Sequence, residues 1–142
     1  MTEEKEVIQY ERADNGVATI WLNRPHKRNC VSPQLLRELE VAVDRAQKDE
    51  MALAVVFRGR ANTFCSGADL DQLVSPVLHE SSTSLQLAID SARTYDKIFN
   101  MRKPTIAAVE GYAVAGGFEL MISCDFALGA LGEQVNFLSD KD

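Results

Sequence analysis

The hydrophobic pattern divides the 142-residue chain into short extended runs and two long amphipathic stretches. Residues 7–12 and 17–22 are β-prone, and Asp14-Asn15-Gly16 between them is a turn signal, because Asn and Gly tolerate positive φ. A hairpin is predicted. Ser32-Pro33 reads as an N-cap followed by proline at the first helical position. Leu35, Leu39, Val43 and Ala46 then recur at helical spacing, one face of a helix that should end near residues 48–50. Residues 52–57 are continuously apolar, as expected of a buried parallel strand. Residues 74–84 carry a proline, a histidine and a Ser-Ser-Thr-Ser cluster and read as a mobile connection. Leu85, Ile89, Ala92, Tyr95 and Ile98 predict a second long helix, stopped by Pro104. Residues 105–109 and 126–129 are further strands, with a short helix through Cys124 between them.

One unit occurs twice, at residues 35–70 and 85–124: helix, buried strand, glycine-bearing turn, start of another helix. Strands alternating with helices argue for an α/β domain with parallel strands. Composition adds little beyond exclusions. With 46% apolar and 25% charged residues, the chain is neither disordered nor fibrous. No apolar run approaches the length of a membrane span, and the acidic start Met1-Thr2-Glu3-Glu4-Lys5-Glu6 is unlike an export signal, so the expected address is cytoplasmic. A net charge of −6 argues against nucleic acid as a partner. Cys30, Cys65 and Cys124 lack metal-ligand spacing and are expected to be reduced thiols.

The glycine-bearing turns carry the candidate chemistry. The first turn of a helix presents unpaired backbone N–H groups, and glycine lets a ligand approach them closely. If Ala68 and Gly116 lie side by side, their N–H groups suit a developing oxyanion. The alternative is that these glycines only permit tight strand-to-helix turns. Neither a Walker A loop nor GxGxxG is present. Glu119, between Phe118 and Leu120, is expected to be partly desolvated and so suited to proton transfer; otherwise it serves as a helix N-terminal charge. Cys65 precedes a helix start, which favours a lowered thiol pKa, but no partner base is evident. His26 and His79 read as loop residues, Tyr112 and Trp21 as core.

Three segments carry a stronger signal. Leu22-Asn23-Arg24-Pro25-His26-Lys27-Arg28-Asn29 comes first, and Phe64-Cys65-Ser66-Gly67-Ala68-Asp69-Leu70 second. The third is Pro104-Thr105-Ile106-Ala107-Ala108-Val109-Glu110-Gly111, continuing through Gly116-Gly117-Phe118-Glu119-Leu120 to Cys124-Asp125. In this order and spacing they resemble the enoyl-CoA hydratase/isomerase (crotonase) family, from about residue 7 to residue 137. The resemblance implies a spiral of ββα repeats, with residues 1–142 forming a partial, truncated acyl-CoA-binding domain. It implies that the thioester oxygen accepts from the Ala68 and Gly116 N–H groups and that Asp69 and Leu70 border coenzyme A. Arg28 is then the expected phosphate contact, and Glu119 matches the family's first catalytic glutamate. Coenzyme A enters as part of the substrate; no metal or other cofactor is implied. Homo-oligomers, trimers or dimers of trimers, and a place in fatty acid metabolism belong to the same expectation.

Two departures qualify it. Relatives run to about twice this length, near the upper size of one domain. A second catalytic glutamate is expected four places after Phe137, where Lys141 stands, with Asp142 one place off. The expected reaction is addition of water across a 2-enoyl thioester, with isomerase or thioester hydrolase chemistry as alternatives. The competing expectation is a non-catalytic remnant that binds CoA or a partner protein. A spiral cut after its third buried strand should leave Leu35, Leu39, Val43, Leu85, Ile89 and Tyr95 poorly covered, so that the chain, if whole, self-associates or is only marginally stable alone.

Overall fold

The computed structural model describes residues 5–73 and 81–130. Strands β1 (Ile8–Arg12) and β2 (Val17–Leu22) form the expected antiparallel hairpin, turning at Gly16 with φ +84°. Helix α1 (Pro33–Lys48) starts as the sequence demands: the Ser32 hydroxyl accepts from Leu35 N–H at 3.1 Å, with Pro33 at the first position. Strand β3 (Ala54–Gly59) follows, then a single turn α2 (Leu70–Leu73), helix α3 (Ser81–Phe99), strand β4 (Thr105–Val109), helix α4 (Gly116–Ile122) and strand β5 (Phe126–Gly129). The sheet order is β1-β2-β3-β4-β5, parallel from β2 onward.

Two isolated parallel bridges, Val31 with Ala68 and Cys65 with Ala113, form a second short ladder beside the sheet. Each turn of the spiral thus runs from a sheet strand through a bridging segment into a helix. This is the ββα repeat. The core lies between the sheet and α1, where Leu35, Leu39, Val43 and Ala46 pack with Ile20, Leu22, Val55, Phe57 and Ala107. Lys97 pairs with Glu40 and Asp44 and fastens α3 to α1. No helix among the described residues is long and apolar enough to cross a membrane.

Several expectations need correction. The third strand begins at Ala54, not residue 52, and alternates between buried and half-buried positions instead of being covered on both faces. Its outer face carries Arg58, which with Arg60 lies over the Trp21 ring; Trp21 is therefore half-buried beneath guanidinium groups and not core. Tyr112 is exposed. Helix α3 already includes residues 81–84, and α4 ends at Ile122, before Cys124. Residues 74–80 of the expected connection, with His79, lie outside the described residues. Leu35, Leu39, Val43 and Tyr95 are buried, so only Leu85 and Ile89 stand uncovered among the six residues in doubt. The inward stripe of α3 is Leu87, Thr94, Tyr95 and Ile98, rotated from the one drawn through Leu85 and Ile89.

Candidate active site

The second ladder sets the site's backbone. Val31 N–H donates to Gly67 O at 2.7 Å and Asp69 N–H to Val31 O at 2.9 Å. Cys65 N–H donates to Tyr112 O at 2.8 Å and Val114 N–H to Cys65 O at 3.1 Å. These bonds draw the turn at Gly67 against the start of α4. Gly67 has φ +91°, and a methyl group on it would lie 3.0 Å from Val114 O and 3.6 Å from Gly116 N. On Gly117 a methyl would lie 2.3 Å from Cys65 O, so α4 seats on Cys65 only because that residue is glycine.

The neighbouring N–H groups of Ser66, Asp69, Gly117 and Glu119 all donate within the protein. Those of Ala68 and Gly116 have no acceptor among the described residues.

Two clefts adjoin at this seam and share Ala68 and Ala115. The inner one, about 480 Å³, is lined by Val31, Gly116, Glu119 and the small face of α3, including Ala88 and Ser91. The outer one, about 460 Å³, is lined by Lys27, Arg28, Cys30, Asp69, Leu70 and Asp71. The inner cleft carries a single carboxylate; the outer one carries two cations, Lys27 and Arg28, and two carboxylates, Asp69 and Asp71. The six candidate residues thus line two adjoining clefts, Ala68, Gly116 and Glu119 the inner one and Arg28, Ala68, Asp69 and Leu70 the outer one.

Their environments differ from expectation in two places. Glu119 is exposed, not desolvated by Phe118 and Leu120. Successive helix residues point about 100° apart, so chain neighbours do not enclose it. Cys65 is buried, and burial pushes its thiol up to about 12, against the lowered value expected from its position; the Gly67 N–H opposes this only in part. Cys30 is also raised by burial, with the Arg24 charge opposing. All three cysteines are free thiols.

The loop that supplies the outer cleft is held by Asn29, Arg24 and Asp69, a structural role that the sequence analysis does not assign to them. Buried Asn29, at φ +54°, accepts from Arg24 N–H at 2.9 Å and donates to Arg60 O and Thr63 O. Arg24 Nη2 reaches Asp69 Oδ2 at 2.8 Å, and Nη1 donates to Cys30 O. Arg28 is then left exposed at the cleft with φ +50°. Lys27 pairs with Asp71 across the same opening. The α3 wall is not named in the sequence analysis; the small residues at 84, 88, 91 and 92, recurring at helical spacing, are its signal in the sequence. Phe137, Lys141 and Asp142 lie outside the described residues.

A larger cleft, about 660 Å³, crosses β1 and α1, where Tyr10, Glu38 and Arg45 are engaged structurally. Tyr10 donates to Asp49, Arg45 lies over the Tyr10 ring, and Glu38 accepts from the Val7 and Ile8 N–H groups. Among the described residues no three His, Cys, Asp or Glu side chains converge to hold a metal.

Residues 12–137 match the family described as enoyl-CoA hydratase/isomerase. Methylglutaconyl-CoA hydratase of Rattus norvegicus is 31% identical over 140 residues, covering 98% of this chain and 44% of that protein. 4-Chlorobenzoyl coenzyme A dehalogenase-2 of an Arthrobacter species is 36% identical over 125 residues, covering 85% and 44%. The crystal structure of enoyl-CoA hydratase from Bacillus anthracis superposes with a TM-score of 0.84 at 28% identity, covering 90% of this chain and 49% of that one. The chain spans less than half the length of each of these relatives.

Proposed function

Because the chain belongs to the enoyl-CoA hydratase/isomerase family, we propose that its groove binds an acyl-CoA thioester and stabilises the enolate formed from it. The observation that carries this reading is that the Ala68 and Gly116 N–H groups, without an acceptor among the described residues, lie where a cleft lined by charged side chains adjoins one lined mainly by small and apolar ones. A thioester has the matching anatomy: a polar, phosphate-bearing CoA portion, a carbonyl, and an acyl group. The CoA portion lies along Lys27, Arg28, Asp69 and Leu70. The acyl group lies between α3 and α4.

With a 2-enoyl thioester, Glu119 takes a proton from water as the water oxygen bonds to C3. The C2=C3 electron pair moves onto the thioester oxygen, which accepts from Ala68 and Gly116 N–H. Glu119 then returns the proton to C2, and water has added across the double bond. Backbone donors aimed at the enolate oxygen suit this step, since each is worth about 3 kcal/mol of barrier in a water-poor site.

A second reading is favoured by Glu119 being the one carboxylate lining the inner cleft among the described residues. A single base next to an oxyanion site is sufficient to move a proton between C2 and C4, which isomerises a thioester without water. Crotonyl-CoA in deuterated water separates the two. Loss of enoyl absorbance supports hydration, and deuterium entering C4 without that loss supports isomerisation. Tight binding without either would support the non-catalytic reading.

A further inference from the structure

The Tyr95 hydroxyl is a buried polar atom that the reaction above does not use. Tyr95 is 6% exposed, and its oxygen has no hydrogen-bond partner among the described residues. Phenylalanine would fill the same volume without desolvating an O–H, so the hydroxyl calls for a partner in some state of the protein.

Its position points to that partner. Tyr95 follows Ser91 and Ala92 on α3 at i+4 and i+3, so it continues the helix face that walls the inner cleft. There it meets the start of α4: a methyl group on Gly116 would lie 3.6 Å from Tyr95 Oη. Gly116 has no side chain to stand between them. Glu119, one helical turn beyond Gly116, lines the same cleft. Burial keeps the Tyr95 phenol protonated far above the ordinary tyrosine range, and the nearby Cys65 and Glu119 side chains act in the same direction. The Cys65 thiol, itself neutral at ordinary pH, is a weak acceptor; an ionised carboxylate is a strong one.

We propose that Tyr95 is a positioning residue: when an acyl group displaces water from the inner cleft, its hydroxyl donates to one oxygen of Glu119 and holds the other at the seam between Ala68 and Gly116. Glu119 is exposed, and no group among the described residues partners the Tyr95 hydroxyl. The bond becomes favourable when the cleft is filled, because a charge-assisted hydrogen bond strengthens as water leaves. This proposal rests on Glu119 being the proton-transfer group of the bound acyl-CoA.

Tyr95→Phe, compared with wild type using crotonyl-CoA, tests it. The expected result is unchanged binding and an unfolding temperature that is unchanged or raised, since no native bond of the free protein is lost. Turnover should fall about tenfold in kcat with KM unchanged, with no further fall when the change is added to Glu119→Gln. The 13C carboxyl resonance of Glu119 should shift on crotonyl-CoA binding in wild type and not in Tyr95→Phe. An equal carboxyl shift in both proteins, or equal kcat, overturns the role of Tyr95 while leaving acyl-CoA binding intact. A lowered unfolding temperature makes the hydroxyl a structural donor and overturns it as well. Failure of the wild type to bind crotonyl-CoA overturns the acyl-CoA reading and the Tyr95 proposal together.

Discussion

Arg24 and Asp69, forty-five positions apart in the chain, meet at 2.8 Å with almost all of both side chains covered. The pair ties the Arg24–Asn29 loop to the turn that carries Ala68, and so sets one side of the seam. Burial pushes the Asp69 carboxyl up, but the Arg24 hydrogen bond and charge, with the Asp71 N–H and Lys27, hold it below the usual carboxylate range. A lowered folded-state value means that the ionised form is the one the fold binds. Its stabilisation is therefore complete above the unfolded value, about pH 4, and is lost as pH falls through the lowered one. Asp69→Asn should flatten that acid limb in denaturant titrations below about pH 4. Asp69→Ala, which strands the guanidinium, should cost about 3 kcal/mol at neutral pH.

Glu119→Gln keeps the side chain's length and removes its basicity. Binding of crotonyl-CoA should be retained and turnover should fall by about two powers of ten or more, the usual contribution of a positioned acid or base. Unchanged turnover in an active preparation would remove Glu119 from the mechanism.

Ala115 stands at φ 48°, ψ −118°, a backbone conformation that glycine adopts freely and alanine does not. Ala115→Gly relieves that strain, offset in part by the greater freedom of glycine in the unfolded chain. A net gain of about 1 kcal/mol is expected, read as a rise in the midpoint of urea unfolding.

Much of this arrangement is legible in the sequence because its determinants are local. The Ser32-Pro33 cap, the Asp14-Asn15-Gly16 turn and the stripe from Leu35 to Ala46 each act within a few residues and appear where expected. Gly67 and Gly117 stand in the segments bearing the family resemblance, but the contacts that require glycine there run between the two turns, Gly67 against Val114 and Gly116 and Gly117 against Cys65. What was not legible depends on distant partners. The α3 stripe was drawn through Leu85 and Ile89, yet packing against α1 selects Leu87, Thr94 and Ile98. Glu119's exposure depends on the cleft between two helices, and Arg24's role on an aspartate in another turn of the spiral.

Strand β5 is an edge among the described residues, and Phe126 and Leu128 on it are 61% and 64% exposed, with Ile122 nearby at 56%. An apolar edge strand promotes pairing with other chains. The 142-residue chain is expected to self-associate with rising concentration in sedimentation velocity. Phe126→Lys with Leu128→Glu should shift it toward monomer. A wild-type monomer at all concentrations would show that this edge is covered.

The seam between Ala68 and Gly116 is tested most directly by the absorbance of a chromophoric cinnamoyl-CoA, whose band moves to longer wavelength when its thioester oxygen accepts hydrogen bonds. Binding to the wild-type protein should shift the band to the red. Gly116→Pro, which removes one N–H donor, should bind with a smaller shift. Saturable binding with no shift in the wild type would mean that the carbonyl lies elsewhere, and would contradict the assignment of these two N–H groups.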